Sequence, residues 1–328
     1  MTKVNKISAM LLAALAAASL LSCNKEEVAA PSGKTPIGFH CDDIWTKAGL
    51  ISEVAQMQGD PEGFKVYAHG VFDVTNESYS FNRIVTYDTG ATPGWKYQDQ
   101  EYWLPTCSYT FRAYYPAKLA EIVTDISKEE YAINGFELGP QYREQQDILM
   151  ATVNKTTTEV VNENNTFVMF TFKHLLSRLD VKLKVESGAN AIDANVLAVA
   201  FLDTYQKANF NKGIWENQSG NLAIGGNMEG EGITLTSSDT SIFPEGLLAI
   251  PAHLEYGDAS LYILAKITLP DETTMEKYWT LPLPEITWEP GKQYTYKATL
   301  TAEFNIEFST PEVQSWVGEQ LSGTVIIR

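Results

Sequence analysis

The sequence predicts an all-β protein built from antiparallel sandwiches. Three observations carry this. Period-two alternation of apolar and polar residues recurs along most of the 328-residue chain. Clusters of Gly, Pro, Asn and Asp separate the alternating runs, and helical periodicity is scarce. Many short alternating strands with little helix pack best as sheet on sheet.

Taken in order, the chain begins with a leader. Lys3 and Lys6 form a basic start, and Ile7 to Leu21 is apolar and uncharged. A bilayer span needs roughly 20 residues, so this run is short for a membrane helix. The small residues Ala16, Ala17, Ala18 and Ser19 fit a cleaved signal peptide. The run ends Leu20-Leu21-Ser22-Cys23, which resembles a bacterial lipobox. That resemblance implies that Cys23 is lipidated on sulfur and becomes the mature N-terminus. Asn24-Lys25-Glu26-Glu27 then reads either as a surface-export signal or as a solvated tether. The expected organisation is leader 1–22, tether 23–36, one sandwich over 37–174 and a second over 175–328.

Within the first sandwich, strands are expected at 64–73, 79–87 and 147–153. Phe111, Ala113 and Tyr115 alternate with Thr110, Arg112 and Tyr114. Val168, Phe170 and Phe172 mark a further strand with apolar residues on both faces. Leu119, Ile122, Val123 and Ile126 share a helical face and predict a short crossover helix. His174-Leu175-Leu176-Ser177-Arg178 interrupts two strong strand patterns and is read as the joint. Beyond it, Leu179, Val181, Leu183 and Val185 alternate with Asp180, Lys182 and Lys184. Strands follow at 194–203, 243–250, 260–269 and 274–283. Tyr294, Tyr296, Ala298 and Leu300 form another. Turns are expected at Asp60-Pro61-Glu62-Gly63, Thr92-Pro93-Gly94, Gly225-Gly226-Asn227 and Glu289-Pro290-Gly291.

Composition narrows the function. The net charge is −17, and the leader carries two lysines and no acid, so the mature chain is more acidic still. Such a surface disfavours nucleic acid and anionic headgroups. No G-x-S-x-G elbow, phosphate loop, C-x-x-C or H-E-x-x-H motif is present. The four histidines, His40, His69, His174 and His253, are far apart in sequence, so neither a metal site nor a cofactor is expected. Asp42-Asp43 and Glu129-Glu130 read as solvated faces. A hydrolase would need two facing carboxylates in a cleft. Cys41 and Cys107 read as two buried thiols rather than one bridge. Trp95, Tyr97, Tyr102 and Trp103 cluster, either as core or as a platform on which Trp95 and Trp103 stack against sugar rings.

Several stretches together resemble the fimbrillin family, the type V pilins of Bacteroidetes and their relatives. They are Ile37-Gly38-Phe39 with Trp45-Thr46-Lys47-Ala48, Tyr102-Trp103-Leu104-Pro105, and Phe111-Arg112-Ala113-Tyr114-Tyr115-Pro116. Gln146 to Ala151, Phe170 to Leu179, Trp288-Glu289-Pro290-Gly291 with Tyr294-Thr295-Tyr296, and Trp316 complete the series. The resemblance implies a lipoprotein precursor with two transthyretin-like sandwiches in tandem. It also implies an outer-membrane, surface-displayed location, removal of the first strand by a protease, and filling of the vacated groove by a strand of another pilus subunit. Residue by residue, the removable strand falls within Pro36 to Trp45 and the cut between Lys47 and Ala48. Lysine stands where the family carries arginine, and Lys47 reads equally as an exposed loop lysine. The tail Thr324-Val325-Ile326-Ile327 and the piece Phe304, Ile306, Phe308 are each read either as donor or as last strands of their own domain.

The leading expectation is therefore a fimbrial subunit, structural or adhesive. Its expected partners are self or paralogous subunits, a host protein or glycan, and the outer membrane through lipid. The alternative is a surface glycan-binding lipoprotein without pilus assembly.

Overall fold

The computed structural model describes residues 34–44, 54–92, 94–121, 123–126, 131–142, 145–188, 192–269 and 271–316. Among the described residues strand dominates, and the helices are two short segments, Val54–Gly59 and Thr157–Glu163, with a 3₁₀ turn at Ala117–Glu121. The fold class is all-β with several sheets. Cys23, Lys47, Ala48, Thr324, Val325, Ile326 and Ile327 lie outside the described residues.

The first sheet has seven strands in the order 38–44, 167–174, 149–156, 107–115, 64–72, 78–87, 95–96. Its pairings are antiparallel except the first, where Gly38–Ile44 runs parallel to Phe167–His174. Strand Phe167–His174 meets Leu149–Thr156 at only two residue pairs, Leu149 with His174 and Met150 with Lys173. Beyond that corner the sheet folds over itself. Phe170 and Phe172 meet Phe64 at ring-centroid separations of 5.8 and 5.3 Å. The enclosed core includes Phe39, Val66, Phe111, Val168, Trp95 and Trp103.

The remaining strands form sheets of six, five, four and two. In the six-stranded sheet, Ser177–Val185 lies parallel to Lys292–Leu300 over eight residue pairs. Parallel pairing needs a long crossover, and here that crossover carries the five-stranded sheet 222–227, 193–204, 260–268, 274–282, with 233–234 also paired to 193–204. Alternation places Leu179, Val181 and Leu183 inward, together with Val196, Phe201, Ile263 and Tyr296, in a second hydrophobic cluster. That cluster also takes Tyr114, Ile133, Phe136 and Met150 from earlier in the chain. Strand Tyr131–Glu137 pairs with Lys207–Asn211, so the chain crosses between the two cores more than once.

The alternating segments form strands close to the expected limits, though 243–250 contributes only Leu247–Ala249. The helix expected at 119–126 is instead a 3₁₀ turn followed by strand Val123–Ile126, which pairs with Tyr131–Glu137. β-branched Ile122, Val123, Thr124 and Ile126 favour extended backbone over helix. Helix Thr157–Glu163 has a capping box. Thr156 Oγ1 accepts from the Glu159 N–H at 3.2 Å, and the Thr156 N–H donates to Glu159 Oε2 at 2.6 Å. Gly63 ends the expected turn at φ +65°, where an added Cβ would lie 2.0 Å from the Val85 carbonyl oxygen. Only glycine fits there.

The segment His174–Ser177 lies in a polar seam. His174 Nδ1 lies 2.6 Å from Asp147 Oδ2, with both side chains 1% exposed. The imidazole stacks on Trp316 at 3.7 Å and 12°. The Trp215 indole N–H donates to the Leu175 carbonyl at 2.7 Å, and Ser177 Oγ donates to the Glu289 carbonyl at 2.8 Å. The Trp316 N–H closes the seam on the Gly291 carbonyl at 2.9 Å. Trp316→Ala removes a fully buried ring and should cost about 3–5 kcal/mol in chemical denaturation.

Burial also sets the alkaline limit. It pushes the Tyr114 and Tyr294 phenols up to about 12 and raises Tyr97, Tyr109, Tyr115 and Tyr296 further. Unfolded tyrosine ionises near pH 10, so above that pH the unfolded chain binds fewer protons than the folded one. The stability these groups contribute is complete below pH 10 and declines as pH rises towards and through 12. The urea midpoint should fall across that window, and Tyr114→Phe should make the fall shallower.

Candidate functional site

The site is the first strand and the groove beneath it. Gly38–Ile44 alternates, and the side chains of Ile37, Phe39 and Cys41 enter the core at 1%, 1% and 2% exposure. Phe39 meets Tyr97 at 5.0 Å and both Phe111 and Phe170 at 6.0 Å. Burying Ile37 and Phe39 contributes about 1.5–3 kcal/mol each. Partner residues run in register from Gly38 with Phe167 to Cys41 with Phe170. A bulge follows, and Asp43 and Ile44 face Thr171 and Phe172. Among the described residues, this strand is the backbone partner of Phe167–Phe172.

A polar frame grips the entry of the strand. The Ile37 N–H donates to the Glu101 carbonyl at 2.9 Å, and the Trp103 N–H donates to the Thr35 carbonyl at 2.9 Å. The Ile37 carbonyl accepts from the Tyr97 hydroxyl at 2.7 Å and from Gln100 Nε2 at 3.0 Å. Glu101 is itself buried, accepts from the Tyr79 hydroxyl at 2.6 Å and pairs with Arg83. The hydrogen bond to Glu101 holds the Tyr79 phenol protonated, raising its pKa. Sequence reading missed Tyr97, Gln100 and Glu101 as a frame. Their spacing within Tyr97 to Glu101 carries no periodic signal, and the partner at Ile37 is 60 residues away.

Without this strand, Phe170, Phe172, Phe111 and Phe64 would line an apolar slot beside the edge of Phe167–His174. Unpaired N–H and C=O groups above exposed rings form a template for an incoming strand.

Trp95 and Trp103, read from the sequence as candidate sugar-stacking aromatics, are core residues at 4% and 6% exposure. Trp95 packs edge-on against Phe64 and Tyr87, and Trp103 against Tyr109 and Phe111. Neither offers a ring face to a ligand. Large aromatic area is worth more inside a sandwich than on its surface. A cleft of about 540 Å³ lies over Arg112, Met150, Lys173, Phe210 and Lys212, but Phe210, its one aromatic, is buried. Cys41 and Cys107 are both buried thiols. Phe304 precedes strand Ile306–Phe308, which pairs within this chain to Lys292–Leu300.

Among the described residues, one group of side chains could hold a metal. Ligand atoms of His253, Glu255 and Glu285 lie within 4.8 Å of one another. His253 and Glu255 stand two positions apart across the end of strand Ala252–Leu254, and that spacing is the signal that could have found part of it.

The geometry thus defines a class: an all-β protein whose first strand completes the core of its N-terminal sheet. The chain belongs to the fimbrillin-like family, whose profile matches residues 52–316. The fold is similar to that of a fimbrial protein from Bacteroides vulgatus, at 19% identity and a TM-score of 0.63, covering 86% of this chain and 99% of that one. A candidate cell adhesion protein from Bacteroides uniformis is 15% identical with a TM-score of 0.46, covering 87% and 99%. A fimbrial assembly protein from Parabacteroides distasonis is 11% identical with a TM-score of 0.41, covering 86% and 98%. No curated protein is detectably similar in sequence.

Phe39→Ala tests how far the core depends on the strand. It should destabilise the full chain by about 3–5 kcal/mol in chemical denaturation. Lys65→Ala, on a half-buried position of strand Phe64–Phe72, should cost under about 1 kcal/mol.

Proposed function

We infer that this protein is a lipid-anchored surface precursor of a fimbrial subunit, structural or adhesive, that assembles by strand exchange once its first strand is removed. One observation carries the reading: Gly38–Ile44 supplies both the backbone partner of Phe167–Phe172 and the buried wedge of Ile37, Phe39 and Cys41. A subunit strand of alternating pattern fits the same slot. The role requires no catalysis.

In this reading Cys23 carries the acyl anchor at the outer membrane, and residues 24–36 hold the body off the surface. The cut falls between Lys47 and Ala48, in the segment between Ile44 and Val54. The domains of this reading are two transthyretin-like sandwiches, 37–174 and 175–328, with Tyr114, Ile133, Phe136 and Met150 of the first packing into the second cluster. The tail Thr324-Val325-Ile326-Ile327 is the donor. Residues 317–328 follow Trp316 directly and span at most about 40 Å when extended, enough to lie along a neighbour's strand. Self or paralogous subunits are the partners, and a host protein or glycan is the target of an adhesive member. The glycan-binding alternative loses its main support with the burial of Trp95 and Trp103.

The test compares two chains, one starting at Cys23 and one at Ala48. The longer should stay monomeric in sedimentation velocity. The shorter should form filaments visible by negative-stain microscopy, and a peptide spanning Pro36 to Trp45 should block them. Monomers from both chains, or amorphous aggregate that the peptide does not prevent, would sink the reading. On native envelopes, N-terminal sequencing should find Ala48.

A further inference from the structure

A two-stranded ribbon, Ala252–Leu254 with Ile286–Trp288, sits with one face in the second cluster. Leu254 and Trp288 are 1% and 2% exposed, and Leu283 is fully buried just before the second strand. The ribbon is therefore a rigid mount. On its outer face His253 lies opposite Thr287. Glu255 lies just past the end of the first strand and Glu285 just before the start of the second, each two positions from His253 and Thr287 respectively, the spacing that continues one strand face. The backbone N–H of Glu255 donates to Asp258 Oδ2 at 2.8 Å, which fixes the turn leaving the first strand.

One nitrogen and two carboxylate oxygens converge there, all within 4.8 Å of one another. His253 Nε2 and Glu255 Oε1 are 3.2 Å apart. Tetrahedral zinc with ligands at about 2.0–2.1 Å sets its ligand atoms roughly 3.3 Å apart, so this pair is already at coordination spacing. The other ring nitrogen, Nδ1, lies 3.0 Å from Thr287 Oγ1. When the Nδ1–H donates to Thr287, Nε2 turns a lone pair towards the carboxylates. A proton on Nε2 makes the 3.2 Å contact to Glu255 a hydrogen bond, and a cation in that proton's place would join the imidazole to both carboxylates. Thr287 then does what partners behind ligating histidines do, fixing tautomer and ring orientation.

We propose that His253, Glu255 and Glu285 bind a divalent transition-metal ion of the zinc class, with Thr287 orienting the imidazole. The nitrogen donor separates this site from one for calcium or magnesium, which take oxygen ligands. Three protein ligands leave a fourth position for water or for a group from another molecule. The site lies on strands distant in sequence from the first-strand groove and does not rest on the strand-exchange reading.

The test is isothermal titration of the untagged, chelator-stripped full chain with zinc chloride. One saturable equivalent per chain is expected. His253→Ala and Glu285→Gln should each weaken binding at least tenfold. Thr287→Val should weaken it about tenfold. Calcium should bind at least tenfold more weakly than zinc. The imidazole is half exposed, so each variant should keep the parent's metal-free melting temperature. No saturable zinc binding, unchanged affinity in His253→Ala, or equal affinity for calcium would overturn the site. Unchanged affinity in Thr287→Val would overturn the orienting role alone.

Discussion

The N-terminal half of this protein depends on one parallel pairing. Strand Phe167–His174 has two faces to satisfy and, along most of its length, one backbone partner. Its inward rings need a neighbour of matching pattern, and Gly38–Ile44 provides it. Gly38 is part of that fit, since a Cβ there would come within 2.5 Å of the Phe167 ring. The rest of the sheet is a continuous antiparallel run from Leu149–Thr156 to Trp95–Lys96, joined ladder to ladder. Among the described residues this sheet has two edge strands, Gly38–Ile44 at one end and the two-residue Trp95–Lys96 at the other. Loss of an edge strand leaves the remaining ladders of the sheet paired.

Alternation made much of this legible in the sequence. Leu179 to Val185 and Tyr294 to Leu300 are strands because a half-wet sheet face writes itself as period two. The parallel pairing of those two segments was not legible, because period two is the same for either direction. The 3₁₀ turn and strand at 117–126 were misread, because apolar residues at helical spacing can also lie on a short twisted strand. The capping box is written in the sequence as Thr156-Thr157-Thr158-Glu159, but the helix it starts is too short to show a helical period.

The candidate site was legible in part. The resemblance placed the first strand within Pro36 to Trp45, and Ile37, Phe39 and Cys41 alternate as a core-facing set should. The frame of Tyr97, Gln100 and Glu101 was hidden because its partners are brought together only by the closed sheet. The aromatic cluster at 95–103 showed the limit of composition. The same tryptophans suit a surface platform and a core, and only burial separates them. His253 and Glu255 carried a spacing signal, but Glu285 reaches them across a ladder that sequence order conceals.

The seam at His174 has a mechanical consequence. Trp316 is wedged against a buried imidazole, and Glu312–Ser315 is laddered to Lys292–Thr295. Lys292–Leu300 is in turn laddered along its whole length to Ser177–Val185. A pull on the C-terminal end along the strand axis therefore loads these ladders in shear, where many hydrogen bonds resist together. The same pull directed across the sheet would meet them one at a time, beginning at Trp316. Under such a pull the stacked Trp316 ring and the ladder beside it would bear load together.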